Sequence, residues 1–160
     1  MKPSNFKYQL LFICSIGLFT ATFAQNQPSS LKEAFKNDFL IGTALGAEHI
    51  LEKDAKANQL IKKEFNAITP ENHMKSMNIH PEWNKYDFFL GDKFVEYGQK
   101  NNMYVVGHTL VWHSQLPRFV GKIKSADSLK LFMTDHINTV AGRYAGKINS
   151  WDVVNEAIED

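Results

Sequence analysis

An α/β fold built on a parallel sheet is what this sequence predicts, and three features predict it. Apolar runs of strand length alternate with stretches in which apolar residues recur every three or four positions. Two of the runs, 103–111 and 148–154, are nearly continuous in apolar residues, as strands covered on both faces are. Polar and ionisable residues collect where the runs end, and in a parallel sheet those ends share one face.

The elements follow in order. Asp38 to Leu45 reads as a first strand closing on Gly46. Glu48 to Phe65 carries Ile50, Leu51, Ala55, Ala57, Leu60 and Ile61 among charges and predicts one helix, its lysines on a solvated face. Phe65 to Thr69 predicts a short strand stopped by Pro70. Asp92 to Asn101 places Phe94, Val95 and Tyr97 in a helical pattern, with Asn101-Asn102 as its stop. Met103 to Val111 predicts a buried strand interrupted by Gly107-His108-Thr109. Ser125 is placed to cap a helix whose apolar face is Leu129, Met133, Ile137, Val140 and Tyr144, and Gly146 ends it. Ile148 to Val154 predicts the fourth strand, which runs straight into Asn155-Glu156.

The amino terminus is of another kind. Lys2 and Lys7 precede an apolar run from Leu10 to Phe23, which ends at Thr22-Phe23-Ala24, and no acidic residue occurs before Glu33. This is the pattern of a secretory signal peptide over residues 1–24, followed by a polar linker at 25–30 and a globular segment at 31–160. Cleavage near Ala24 would leave a chain without cysteine, since Cys14 is the only one, and export to the periplasm or beyond is expected. The chain is 160 residues long, with the composition of a globular protein and a net charge of +1. That balance does not point to nucleic acid, and no membrane association is expected after cleavage.

Three segments carry the chemistry. Thr69-Pro70-Glu71-Asn72-His73-Met74-Lys75 follows the second strand; His108 and Trp112-His113-Ser114-Gln115 end the third; Asn155-Glu156 ends the fourth. Together they would set carboxylates, amides, an ammonium, imidazoles and an indole around one cleft. A neutral polyhydroxylated ligand needs that mixture, because sugar hydroxyls require donors and acceptors side by side and a sugar's C–H face packs on an aromatic ring. The six histidines lack the spacing of common zinc motifs, so neither a metal nor a cofactor is expected. Asp152 reads as a buried, hydrogen-bonded structural residue, Trp83 and Trp151 as packing residues, and His49, His80 and His136 as surface or ordinary structural residues.

Trp151-Asp152-Val153-Val154-Asn155-Glu156-Ala157 resembles the acid/base strand of the family 10 glycoside hydrolases, the β-1,4-xylanases. Gly107 to Pro117 and Thr69 to Lys75 resemble that family's third- and second-strand motifs, in the family's order, and the resemblance runs from about Leu31 to Asp160. It implies the first half of a (β/α)₈ barrel and retaining hydrolysis of xylan. Glu156 would be the general acid and then the base, and Asn155 would bond the 2-hydroxyl of the sugar at the cleavage point. Glu71, Asn72 and Lys75 would hold the next sugar, and His108, Trp112 and Gln115 would line the same pocket. Such catalysis uses two carboxyl groups roughly 5–5.5 Å apart. The family's nucleophile lies on a much later strand, whereas this chain stops at Asp160, so the nucleophile is expected to be missing and the chain inactive alone. The alternatives are a non-catalytic fragment that binds xylo-oligosaccharide and a hydrolase of another β-1,4-glucan. A half barrel would also leave open strand edges, from which self-association is expected.

Overall fold

Ser30 caps the first helix of the described residues. Its Oγ accepts the Glu33 N–H at 3.4 Å and starts a one-turn helix, α1 (Leu31–Ala34). The computed structural model describes residues 28–158, so the expected leader and linker residues 25–27 lie outside the described residues. After α1 come β1 (Gly42–Leu45), α2 (Ala47–Ile50), α3 (Ala55–Glu64), β2 (Ala67–Pro70), α4 (Ser76–Ile79) and α5 (Phe89–Lys100). Then follow β3 (Tyr104–Trp112), a 3₁₀ turn (Val120–Lys122), α6 (Ala126–Arg143) and β4 (Ser150–Asn155). The four strands pair in parallel in the order β1-β2-β3-β4, as the alternation predicts. Among the described residues the sheet is open, with β1 and β4 at its edges.

The core lies between the sheet and the helices. Leu45, Ile68 and Val105 are at most 1% exposed, and Phe94 and Val95 of α5 pack in the same cluster with Val140 of α6 and Tyr144. Burying each such aliphatic or phenyl side chain contributes about 1.5–3 kcal/mol. Close approach is secured by glycine at two places. A Cβ on Gly98 would overlap Val105, and one on Gly107 would overlap the indole of Trp151, its partner in the β3–β4 register. Trp151 therefore packs, as expected, through its fit to Gly107 and its contact with Tyr144 at 6.4 Å between ring centroids. Outside the core, Arg143 grips Asp92 through two bonds of 2.9 and 2.6 Å, and Tyr144 donates to the same carboxylate at 3.1 Å. The guanidinium and the phenol hold the Asp92 carboxyl below its ordinary range and tie α5 to α6.

Several local expectations give way. The helix expected over Glu48–Phe65 is two helices, because Glu52 takes a left-handed φ of 53° and Asp54 caps α3 by accepting the Ala57 N–H at 2.9 Å. Lys100 and Lys62 bond to the Glu52 carboxylate there and lower its pKa to about 2. Pro70 belongs to β2 rather than stopping it: it pairs with Leu45 at the strand's end, where ladder bonds run out. Val140 and Tyr144 of the face expected for α6 are buried, but Phe132 and His136 are buried in place of Met133 and Ile137, and Leu129 is 39% exposed. β4 is far less buried than its apolar sequence implies, with Val153 and Val154 more than half exposed at the sheet edge.

For His80 and His136 the structure selects the structural reading over the surface one. His80 and His136 are 2% and 1% exposed, so neither is a surface residue, and their Nδ1 atoms meet at 3.1 Å. His73 is also buried. The Nε2 atoms of all three rings have no hydrogen-bond partner. Burial lowers the pKa of His73 to about 4, and burial with the neighbouring His80 lowers that of His136 to about 4.

A folded-state value below the unfolded one favours the neutral ring, so this stability is complete above an ordinary histidine pKa of 6.5 and is lost as pH falls toward about 4. The melting temperature is therefore expected to drop between pH 7 and pH 4.5, and a flat profile would contradict the neutral assignment. Gly107→Ala is expected to cost about 1–3 kcal/mol in urea denaturation. Gly121→Ala, where nothing lies within 4 Å of the added Cβ, is expected to be neutral.

Candidate active site

The parallel ladder sets the ends of β3 and β4 level with each other. Val111 pairs with Val154 and Trp112 with Asn155, after a register shift that follows the His108–Asp152 pair. Glu156 is the first residue past β4 and turns out of the strand with a left-handed φ of 51°. That turn brings its carboxylate to the neighbouring strand, where the Trp112 indole N–H donates to Glu156 Oε2 at 2.8 Å. His113 Nε2 lies 3.8 Å from the same oxygen. Asn155 stands beside them opposite Trp112 and lines the same cleft as Glu156.

From Trp112 the cluster extends toward β2. The Lys75 ammonium sits 5.2 Å from the centre of the Trp112 ring, within cation–π range, and donates to Asn72 Oδ1 at 3.0 Å. Asn72 is itself tied to the next helix, since its carbonyl accepts the Asn78 amide at 2.8 Å. Glu71 and Asn72 line a polar cleft of about 430 Å³ at the ends of β1 and β2, together with Glu48 and Asp87. Glu71 is anchored by its backbone, whose N–H donates to Leu45 O at 3.0 Å.

His108 and Asp152 form a second pair. Their side chains meet at 2.8 Å between Nδ1 and Oδ2, and the His108 ring lies 6.4 Å from Trp112. Gly107 and Trp151 face the helices, so strand alternation sends His108 and Asp152 to the other side of the sheet. Asp152 is hydrogen-bonded, as expected, but its side chain is 50% exposed, which corrects its reading as buried. An aspartate inside an apolar strand looks buried only while the strand is taken to be covered on both faces. Gln115 enters through its backbone: it has a φ of 47°, and its carbonyl accepts the Met77 N–H at 3.0 Å. That bond ties the loop after β3 to α4.

The structure thus joins Glu156, Trp112, Lys75 and Asn72 in one line of contacts, with Asn155 beside it. Glu71 lies in the adjoining cleft and His108 is attached through Trp112. His113, which sequence reasoning left out of the site, and Asp152 are the additions. For Asp152 the signal that could have found it is strand register, which sets it across from His108; His113 follows directly on Trp112 at the end of β3.

A second cavity of about 430 Å³ touches Trp112, His113, Asn155 and Glu156, but apart from Ser76 and His136 the rest of its wall is apolar, with Leu110, Val120, Leu129, Phe132 and Met133. Those walls suit apolar side chains rather than hydroxyls, so the polar line of residues is the better ligand site. Among the described residues no group of three or more His, Cys, Asp or Glu side chains is placed to hold a metal ion. The arrangement offers an exposed carboxylate held by an indole N–H, with an ammonium, two amides and imidazoles within the same stretch of surface. A proton can be passed at Glu156 while neighbouring donors and acceptors orient a neutral ligand.

The comparisons with known proteins concern the same residues. The model of glycosyl hydrolase family 10 matches residues 30–160. A β-1,4-xylanase of Dictyoglomus thermophilum is 41% identical over 151 residues, which cover 94% of this chain and 42% of the relative. Endo-1,4-β-xylanase A of Xylanibacter ruminicola is 43% identical over 88% of this chain and 39% of its own. The crystal structure of xylanase 10B from Thermotoga petrophila in complex with xylobiose superposes with a TM-score of 0.77 at 41% identity, covering 84% of this chain and 42% of that one. The chain therefore spans about two fifths of the length of the relatives it matches.

Proposed function

Because the chain belongs to glycosyl hydrolase family 10, we propose that the whole protein is an endo-1,4-β-xylanase that cleaves xylan with retention, and that Glu156 is its acid/base. The observation that carries this reading is the Glu156 carboxylate at the carboxyl end of β4, held at 2.8 Å by the Trp112 N–H. The carboxyl ends of parallel strands are where barrel enzymes place their chemistry.

In the proposed cycle Glu156 protonates the glycosidic oxygen as a second carboxylate attacks the anomeric carbon from the opposite face. It then takes the proton from the water that releases the glycosyl-enzyme. The resemblance puts that nucleophile on a later strand, so the 160 residues alone are proposed to be inactive. Trp112 positions the acid/base. Asn155, His108 and Gln115 serve the sugar at the cleavage point, while Glu71, Asn72 and Lys75 hold the next one. Hydrogen bonds to these groups that tighten as charge develops on the sugar contribute to rate as well as to binding. Hydrolysis of a polymer outside the cell also accords with the leader proposed at residues 1–24.

The decisive variant is Glu156→Gln in the whole protein. It is expected to lower the rate on unactivated xylan by about 10²–10⁴-fold, and a normal rate would sink the assignment. Trp112→Phe keeps the ring but removes the N–H. It is expected to lower kcat about 10- to 100-fold, as the loss of a hydrogen bond to a charged group would. Terminal sequencing of the exported protein is expected to begin at Gln25; a start at Met1 would remove the leader.

A further inference from the structure

Trp83 is the residue whose surroundings ask for a function. It occupies a two-residue turn between Glu82 and Lys85, which pair as an isolated antiparallel bridge and are joined by a backbone bond of 3.0 Å and an ion pair of 2.7 Å. Turn chemistry accounts for Asn84, which takes a φ of 61°, because asparagine tolerates that conformation. It does not account for a tryptophan at the tip that is 47% exposed, where a small polar residue would close the same turn. The ring is nevertheless held firmly. Phe119 meets it edge-on at 5.5 Å, and Phe132 lies 6.4 Å away.

The indole separates two surface grooves. One, of about 190 Å³, runs past Asn84, Leu131 and Asp135; the other, of about 390 Å³, runs past Glu82, Arg118 and Lys122. The first groove supplies an amide and a carboxylate beside the ring, and the second a carboxylate and two cations above an apolar floor of Leu116, Pro117 and Phe119. Opposite charges face each other across the groove rims: Glu82 is paired with Lys85, Asp135 accepts the Tyr86 hydroxyl at 2.9 Å, and Arg118 and Lys122 line the second groove. Leu131 and Asp135 border this surface, whereas Leu129, Met133 and His136 border the cavity that reaches Glu156. The two regions meet at Phe132 and Leu116, which line both, and are otherwise made of different residues.

We propose that Trp83 heads a second sugar-binding surface, outside the catalytic cleft, that takes a short stretch of a neutral β-1,4-linked polysaccharide. The occupant is a sugar chain because a half-exposed, immobilised indole stacks on the C–H face of a pyranose while the Asn84 amide and Asp135 carboxylate on one side, and Glu82 and Arg118 on the other, meet its hydroxyls. The proposal rests on the reading of the whole protein as a hydrolase of such a polymer. For that enzyme a remote foothold raises the local concentration of the cleft on an insoluble substrate without touching the chemistry.

The test uses the whole protein and compares retention on insoluble xylan with hydrolysis of soluble xylohexaose. Trp83→Ala is expected to weaken retention severalfold and to slow hydrolysis of insoluble xylan, with the rate on xylohexaose unchanged. Leu131→Arg guards against a folding defect, because the position is 62% exposed and the longer side chain obstructs the groove from outside the core. It is expected to weaken retention likewise. Retention equal to that of the parent in both variants overturns the surface, and so does a parent that is not retained at all. Failure of the parent to hydrolyse xylohexaose while it is retained through Trp83 counts against the catalytic reading instead.

Discussion

The candidate site depends first on the parallel pairing of β3 with β4. Gly107 makes that pairing possible at close range, because any side chain there would occupy the space of the Trp151 indole. With Trp151 seated against the helices, the alternation of the strand turns His108 and Asp152 to the other face as a hydrogen-bonded pair. A few residues further on, the same ladder sets Trp112 beside Asn155, so that Glu156 needs only one left-handed residue to reach the indole N–H. A slip of one position would exchange the two faces and separate the carboxylate from its donor.

Around that pairing, the two sides of the molecule are stabilised differently. The helix side is a core of aliphatic and aromatic side chains, reinforced at its rim by the grip of Arg143 and Tyr144 on Asp92. The strand-end side is polar and partly open, and its order comes from contacts that each contribute little on their own. These are the ammonium over an indole, the amide bonds of Asn72 and the backbone bond from Met77 to Gln115. The short connection from β2 to its helix and the Met77–Gln115 bond keep these groups near one another, so that binding a ligand costs little further ordering.

The buried histidines show a different use of the same residue type. His108 and His113 lie near carboxylates at the strand ends. His80 and His136 meet inside an aromatic cluster with Tyr86, Phe119 and Phe132, and the cost of charging them there keeps them neutral. Position in the fold, rather than residue type, separates a polar contact group from a packing group.

Much of this was legible in the chain itself. Strand and helix alternation announced a parallel sheet, because periodicity is local. Ser125 announced its own helix, and the three motifs carried a family resemblance and a set of site residues. What periodicity could not reach was anything decided between elements. The exposure of Asp152 and of Val153 and Val154 depends on what lies beside β4. The break at Glu52 depends on Lys62 and Lys100, the second of which is brought from a different helix. The burial of His80 and His136 depends on a contact between residues 56 positions apart. Trp83 carries the same lesson in reverse, since a large apolar residue expected to pack inside stands half exposed at the tip of a turn. Sequence determined which local structures form and which chemical groups are available. Tertiary structure alone decided which groups meet, because strand register and helix packing are set by contacts between distant segments.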